Sequence, residues 1–314
     1  GVGFEPNFTW IKNRDTAVSH ALFDSVRGAT KYLTSNSTVA ESTESDMLTA
    51  FNSDGFSGGG SNQINIASDN YVAWNWKAGG TAVSNTDGSI TSSVSANPTA
   101  GFSIISFTGD GNAGATVGHG LSQAPEMWIT KSRSATGFWY VGNVNYSSPA
   151  GNYYQHLELT AAQASNTGVW NGTLPSSTVI TLGNLSSYQN VSSTTYISYA
   201  FHSVEGYSKV GTYEGNANAD GPFVYTGFKP AFVIIKGVDQ AGSSWFLMDN
   251  KRDEYNVVDK ELFADSNSAE GSGSRFVDFN SNGFKLRAND ALNYASTMIY
   301  YVVAESPFKF SNAR

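Results

Sequence analysis

The chain has 314 residues, a formal net charge of −8 and only 14% charged residues, where about a quarter is usual. Its basic residues are few and scattered, which excludes the positive surface that nucleic-acid binding needs. It has no cysteine and no apolar run long enough for a membrane-spanning helix, which excludes disulfides, thiolate metal sites and membrane insertion. Such a composition is typical of a β-rich, loop-rich protein that works outside a cell.

One strand pattern occurs three times: Pro, a spacer, a large apolar residue, three more residues and Lys. The copies are residues 6–12, 125–131 and 230–236. An Asn-x-small-Ser marker follows each copy after a similar interval, beginning at Asn65, Asn190 and Asn293. Because the strand pattern and the Asn marker recur three times in the same order, the sequence predicts three structural repeats.

The predicted elements follow in chain order. Repeat one (1–80) has a strand at 8–12, an Asp-Gly turn within 51–56 and a closing aromatic strand at 71–76, but it lacks opening strands. Residues 81–100 are predicted to be a linker with an embedded hairpin. Repeats two (101–205) and three (206–314) each open with a strand and a Gly/Asn-rich loop and close with another strand.

Short strands at regular spacing, separated by Gly/Asn/Ser turns, predict an all-β fold. We expect three tandem antiparallel β-sandwich modules, jelly-roll or lectin-like, with very little helix. Residues 160–164 and 259–263 are each expected to form one or two helical turns.

The pattern Asp-x-x-Arg occurs at residues 24–27 and 249–252. Because Asp253 and Glu254 lie near Asp249, a carboxylate pair for glycoside hydrolysis is conceivable. A repeated residue, however, belongs to a module's architecture more often than to a unique catalytic centre. The favoured interpretation is an Asp–Arg bridge that fixes a turn, and no catalytic residue is predicted.

Metal ligands are sparse in the sequence. The histidines are not spaced as a metal pair; they are His20, His119, His156 and His202. Oxygen-bearing residues in Gly-rich loops are a candidate calcium site, because Ca²⁺ takes six to eight oxygen ligands; they are Asp110, Asn112, Asn216, Asn218 and Asp220. Their spacing does not match an EF-hand, so ordinary turns are favoured, and no metal or cofactor site is predicted.

The tryptophans divide into core and surface candidates. Trp139 and Trp245 follow their Pro by 14 and 15 residues and are predicted to be core positions. Trp74 and Trp76 share one face of a strand, which suggests a sandwich core or an oligomer contact. Trp170 precedes an Asn-Gly turn and is predicted to be exposed, where it could stack on a sugar.

These motifs resemble a repeat family in structural proteins of tailed bacteriophages, especially phages of marine bacteria. The motifs that carry the resemblance are the Pro-to-Lys pattern at 6–12, Phe-Asp-Ser-Val-Arg-Gly at 23–28, the turn at 51–56, the aromatic strand at 71–79 and Val-Gly-His-Gly-Leu at 117–121, with later motifs at 205–209, 280–285 and 304–309. The resemblance implies a virion component, in a tail fibre or on the head surface, and transfers no catalytic residue.

The expected function is therefore that of a non-enzymatic virion protein on the particle exterior, assembled in the host cytoplasm. Expected partners are other virion proteins, further copies of the chain, with a trimer as the first expectation, and a host-surface glycan or protein. The alternatives are a carboxylate-dependent polysaccharide depolymerase of a tail spike and a secreted bacterial lectin-like adhesin. Specialised function is expected first in repeat two, at residues 143–184.

Overall fold

The computed structural model describes residues 2–185 and 189–306, and their regular structure is almost entirely antiparallel β-strand. The strands of repeat one are β1 (Phe8–Asn13), β2 (Ala21–Asp24), β3 (Lys31–Tyr32), β4 (Ser42–Thr43), β5 (Leu48–Asn52), β6 (Gly55–Gly58) and β7 (Tyr71–Trp76). A hairpin follows, formed by β8 (Val83–Asn85) and β9 (Ser92–Asn97).

Repeats two and three continue in the same style. Repeat two contains β10 (Phe102–Thr108), β11 (Thr116–Gly118), β12 (Met127–Ser132), β13 (Trp139–Asn143), β14 (Tyr153–His156), β15 (Ala164–Ser165), β16 (Val179–Thr181) and β17 (Thr195–Phe201). Repeat three contains β18 (Ser208–Glu214), β19 (Phe223–Tyr225), β20 (Pro230–Gly237), β21 (Phe246–Asp249), β22 (Leu262–Phe263), β23 (Val277–Asn280), β24 (Gly283–Leu286) and β25 (Thr297–Ala304). The helical segments are a 3₁₀ turn, Ala150–Asn152, and α1, Thr167–Trp170.

The three copies of the Pro-to-Lys strand occupy the same place in three sheets, which we call the inner sheets. Strand β1 lies between β2 and β7, β12 between β13 and β17, and β20 between β21 and β25. The registers match as well, since each large apolar residue pairs with the residue that opens the next turn, in the pairs Phe8–Asp24, Met127–Asn143 and Phe232–Asp249.

One apolar core contains the facing sides of all three inner sheets. Each pair of repeats is joined there by aromatic rings whose centroids lie 4.4 to 5.5 Å apart, in the contacts Phe8–Tyr199, Phe201–Tyr301 and Trp74–Phe232. Rings at these separations pack favourably and bury large areas. Each repeat therefore supplies one side of a core that it does not enclose by itself.

A second layer covers the outer face of each inner sheet. This layer is the β5–β6 hairpin in repeat one, the β11–β16 pair in repeat two and the β19–β24–β23 sheet in repeat three. Each layer encloses its own smaller apolar cluster. The predicted all-β, sandwich-like class with very little helix is confirmed, and Trp74, Trp76, Trp139 and Trp245 are buried as core residues.

Hydrogen bonds between repeats form a closed ring. Trp139 of repeat two donates from Nε1 to the Thr34 carbonyl of repeat one at 2.9 Å, and Trp245 of repeat three donates to the His156 carbonyl of repeat two at 2.9 Å. In repeat one, the register places His20 where the other repeats have tryptophan. Its Nε2 lies 2.9 Å from the carbonyl oxygen of Phe263 in repeat three. The third bond thus joins the last repeat to the first.

The protonation of His20 follows from its neighbours. Its Nδ1 accepts a hydrogen bond from Trp10 Nε1 at 2.8 Å, so the proton belongs on Nε2, which faces carbonyl oxygens. Burial, and secondarily the nearby Lys12, lowers the pKa of His20 to about 3. In the closed ring of hydrogen bonds, the neutral imidazole of His20 therefore stands where the other two repeats have a tryptophan indole.

A second ring runs through the main chain. The amide groups of Glu41, Gln163 and Glu270 donate across the repeat boundaries to the carbonyls of Arg133, Val238 and Arg14, respectively, at 2.7 to 2.8 Å. Two of the boundaries add a bidentate ion pair, Glu41 with Arg133 and Glu270 with Arg14. The repeats are therefore held in cyclic order by polar bonds as well as by the core.

Two local predictions are corrected. Residues 160–164 and 259–263 do not form helical turns, because Ala164 begins β15 and residues 262–263 form β22. Their backbone groups are used in pairing instead; Gln163, for example, donates across a repeat boundary. The hairpin at 81–100 forms as expected, and β9 pairs with β10, so it extends the inner sheet of repeat two.

Candidate functional site

Both Asp-x-x-Arg motifs form a buried clamp at the end of an inner-sheet strand. In repeat three, Asp249 Oδ1 accepts the amides of Lys251 and Arg252 at 3.0 and 2.9 Å. Its Oδ2 accepts Arg252 Nε at 2.7 Å and Trp74 Nε1 of repeat one at 3.1 Å. Although burial raises the pKa of Asp249, the Arg252 guanidinium outweighs this and holds it below the ordinary value.

The clamp of repeat one has the same geometry. Asp24 Oδ1 accepts the amides of Val26 and Arg27 at 3.0 and 2.8 Å, and Oδ2 bonds the Arg27 guanidinium. Tyr199 of repeat two also donates to Oδ2, at 2.7 Å. Each carboxylate thus fixes a turn and receives a side chain from another repeat, as the structural interpretation of the motif predicts.

Repeat two has a different pair of residues at the clamp. The register places Asn143 at the Asp position, and Asn143 Oδ1 accepts the Asn145 amide at 2.9 Å. Tyr146 stands three residues later, where the other repeats have Arg. Within the described part of the chain, neither Asn143 Nδ2 nor the buried Tyr146 hydroxyl has a hydrogen-bond partner.

The three acidic residues considered for hydrolysis do not act as a pair. The Asp249 carboxylate is buried and its lone pairs are occupied by the clamp. Asp253 is held by the amides of Asp259 and Lys260 at 2.9 and 2.7 Å and by the Lys260 ammonium at 3.1 Å. Glu254 is exposed. A glycosidase needs two carboxyl groups facing one scissile bond, whereas here Glu254 is the only one of the three that is exposed and not held by the clamp or by Lys260.

A small cavity of about 220 Å³ lies beside Glu254, and we call it the Tyr255 cavity. Its lining includes Lys229, Asn250, Asp253, Glu254, Tyr255 and Phe279. Tyr255 is 83% exposed, which makes it the most exposed of the large apolar side chains in the residues described.

The loop that carries Tyr255 is fixed at both ends. On one side, the Asp249 clamp holds the chain as it leaves β21. On the other, Asn256 exchanges two hydrogen bonds with the main chain of Phe279, at 2.8 and 3.1 Å. An exposed aromatic ring on a loop held this firmly is a feature of recognition surfaces.

A larger cavity, about 550 Å³, lies at the corresponding loop of repeat two. Its lining includes Tyr146, Pro149, Gly172 and Leu174. The prediction that Trp170 is exposed nearby is wrong, because its ring is fully buried and packs edge-on against Trp128 at 5.2 Å. It is therefore not available for sugar stacking.

The histidines do not form a metal-binding group in the described residues, and the rings of His119 and His202 bond main-chain groups. His119 accepts the Leu121 amide through Nδ1 at 3.1 Å and places Nε2 3.2 Å from the Ser176 carbonyl. His202 Nδ1 lies 2.9 Å from the Ser203 carbonyl. Across residues 2–185 and 189–306, no group of three or more His, Cys, Asp or Glu side chains could hold a metal ion.

The candidate calcium loops are occupied by the marker asparagines. Asn190 donates from Nδ2 to Asp110 Oδ1 and to the Asn112 carbonyl, both at 2.9 Å. Asn293 donates in the same way to Asn216 Oδ1 and to the Asn218 carbonyl. The main chain of Asp220 bonds the side chains of Asn216 and Asn218, while its exposed carboxylate pairs with Lys285. The repeated Asn thus pins the opening loop of its repeat, and amide groups contact the oxygens that a cation would need.

The repeated lysines are buried at the edge of the shared core. Lys12, Lys131 and Lys236 are at most 1% exposed, and each donates to main-chain carbonyl oxygens. Burial lowers the pKa of all three to about 8. Nearby carboxylates, Glu158 and Asp265, partly oppose this effect for Lys131 and Lys236, and only Lys12 has none acting on it.

Replacing Lys12 with Met is expected to stabilise the protein at pH 7 by on the order of 1–3 kcal/mol, because it removes a buried charge without a counterion. The unfolded chain keeps the lysine proton to about pH 10.5, whereas the folded chain loses it near pH 8. The unfolded state therefore binds more protons between these values, and wild-type stability rises with pH across that window. The free energy of unfolding, measured in urea at pH 7 and at pH 10, should therefore increase less in Lys12→Met than in wild type. Lys251→Met, on an exposed lysine, is the control, and an equal pH slope in wild type and Lys12→Met would contradict the prediction.

Helices with the length and hydropathy that a membrane span requires are absent from the described ranges.

Comparison with known proteins identifies the family of the chain and nothing more specific. No curated protein and no solved structure matches it. A family model described as "Domain of unknown function (DUF7483)" matches residues 1–307, nearly the whole chain. The protein therefore belongs to the DUF7483 family.

Proposed function

We propose that this protein is a non-enzymatic structural component of a tailed-phage virion, exposed on the particle exterior. It acts as a fibre-like, adhesive or capsid-decorating protein that attaches the particle to a host surface or reinforces it. Its partners are other virion proteins and further copies of itself, with a trimer as the first expectation. The observation that carries the proposal is a single core shared by three repeats, from which loops project outward.

A rigid scaffold of this kind suits a protein that must survive outside the cell without disulfides. The chain has no cysteine, so its stability has to come from packing and from polar bonds between elements. The shared aromatic core and the two cyclic sets of hydrogen bonds supply both. The low charge and the sequence resemblance to phage structural proteins support the same proposal.

The depolymerase alternative has less support than a binding role. Its candidate carboxylate Asp249 is engaged by Arg252 and by Trp74, and Asp253 is engaged by Lys260. These contacts use the lone pairs that a nucleophile or a general base would need. A lectin-like adhesin remains compatible with the exposed loop of repeat three.

Locating the protein in phage particles tests the proposal directly. A particle reconstruction combined with antibody labelling is expected to place it on the exterior, and mass measurement of the purified protein is expected to give a homo-oligomer. Incubation with host surface polysaccharide is expected to release no fragments. A protein absent from particles, or one that cleaves the polysaccharide and loses this activity in Glu254→Gln, would contradict the proposal.

A further inference from the structure

We infer that the Tyr255 cavity binds one pyranose ring of a neutral or amino-sugar polysaccharide, without cleaving it. The inference rests on the proposed function to the extent that the polysaccharide is taken to be one on a host surface. It gives the adhesive role a place in the fold, in repeat three, and a class of ligand.

The size of the cavity suits a single sugar ring. Its volume is about 220 Å³, below the roughly 300 Å³ at which pockets for larger organic ligands begin. A cavity this small cannot enclose a chain, so an occupant of this type is one residue of a polymer whose neighbours remain in solvent.

The exposed ring supplies the apolar part of the contact. Tyr255 keeps 83% of its surface accessible, which is a large apolar exposure for a side chain on a firmly held loop. The C–H face of a pyranose can cover an aromatic ring while its hydroxyl groups remain hydrated. Tyr binds amphipathic surfaces well because it is large, stiff and polar at one end.

The accessible acceptor of the cavity is the Glu254 carboxylate, which is exposed. Asn250 also lines the cavity, but its Nδ2 donates to Glu305 and its Oδ1 has almost no solvent-accessible surface. A ligand in the cavity therefore meets Glu254 as its charged acceptor, and sugar hydroxyl groups are donors that fit a carboxylate.

The charge of the cavity selects among sugars. Lys229 is paired with Glu305 at 2.9 Å and Asp253 with Lys260 at 3.1 Å, so among the described residues that line the cavity Glu254 is the carboxylate without a counterion. The excess negative charge repels uronic and sialic acids. Neutral sugars and protonated amino sugars are accepted, and the amino group gains an ion pair with Glu254.

The other repeats lack this chemistry at the same loop. Counting from the clamp residue, repeat two has Ser147, Ser148 and Pro149 where repeat three has Asp253, Glu254 and Tyr255. Repeat one has Gly28, Ala29 and Thr30 there. Three repeats with one scaffold thus differ where the carboxylates and the exposed ring stand, which is the pattern of a site added to one copy.

Saturation-transfer NMR on the full-length protein tests the inference with methyl β-galactoside, methyl β-glucoside, N-acetylglucosamine, glucosamine and glucuronic acid as probes. Wild type is expected to give transfer to at least one neutral or amino sugar and none to glucuronic acid. Tyr255→Ala is expected to weaken binding about tenfold or more, and Glu254→Gln to weaken glucosamine most. The matched control is Tyr225→Ala, which removes another exposed tyrosine of repeat three and is expected to bind as wild type.

The inference is overturned by no transfer to any probe, by equal sugar binding of Tyr255→Ala and wild type, or by preference for glucuronic acid. Loss of self-association in Tyr255→Ala without sugar binding by wild type would also overturn it, and would make the loop a protein contact. Tyr255→Ala and Glu254→Gln alter exposed side chains, so their urea unfolding curves should match the wild-type curve, which would exclude misfolding. Failure here is separable from failure of the proposed function, because particle location does not depend on Tyr255.

Discussion

Replacing Arg27 with Met is expected to lower the free energy of unfolding by about 3–5 kcal/mol, a large part of the stability of an ordinary domain. The Arg27 and Asp24 side chains are completely buried. Removing the guanidinium leaves the Asp24 carboxylate without its counterion, and Tyr199 would then be its remaining side-chain donor. Urea unfolding monitored by tryptophan fluorescence measures the change.

The chain supplies its own control for this experiment. The double substitution Asp24→Asn with Arg27→Tyr transplants the pair that repeat two carries at Asn143 and Tyr146. Because it leaves no buried charge, it is expected to cost less than Arg27→Met alone. Lys229→Met, at an exposed ion pair, is expected to change stability by less than about 1 kcal/mol. If Arg27→Met costs no more than Lys229→Met, the clamp does not have the structural role assigned to it.

Repeat two produced alone, as residues 101–205, is expected to be unfolded or aggregated. Its inner sheet would expose the face that packs on the other repeats in the whole chain, including Ile104, Ile129 and Tyr199, which are at most 5% exposed there. The full chain, by contrast, is expected to unfold in a single transition because the three repeats share one core. Circular dichroism and amide NMR dispersion distinguish the two results.

A folded, monomeric repeat two with dispersed amide signals would show that each module closes its own core. So would three separate transitions in the full chain. A valuable comparison is a mixture of all three repeats as separate polypeptides, since association there would show that the interfaces carry the cohesion.

The alternation of the sequence predicted the strands of the inner sheets but not which surface packs on their apolar faces. Alternation in β1 assigns Phe8 and Trp10 to one face and Thr9 and Ile11 to the other, as in the structure. That alternation is the same whether the apolar face packs on the hairpin of its own repeat or on a neighbouring repeat. Periodicity identifies a face to be covered and carries no information about what covers it.

Trp170 illustrates a similar limit. The Asn-Gly signal after it correctly indicated a turn, and Asn171 has a positive φ of 53°. Turn chemistry fixes the backbone but not the direction of the preceding side chain, which here points inward onto Trp128. The burial of the three repeated lysines has no signal in the sequence, since a charged residue that closes a strand is usually solvated.

The candidate site was only partly visible in the sequence. Repetition correctly indicated that Asp24 and Asp249 are architectural, because a residue found in two copies serves what the copies share. Tyr255 and Asn250 occur in one copy and carried no such mark. A position-by-position alignment of the three loops would have shown that only repeat three places an acidic residue and an aromatic ring together.

The hydrogen bond between His20 and Phe263 has a consequence for the genetic history of the chain. The Phe263 carbonyl of the last repeat accepts this bond from His20 of the first repeat. The boundary between these two repeats is therefore closed by the same kind of contact as the two boundaries that a peptide linkage crosses. Covalent continuity is therefore expected to be dispensable at any one boundary. Circularly permuted versions, opened between different repeats, are expected to retain these three hydrogen bonds, and the same contacts fit an ancestor made of three single-repeat polypeptides.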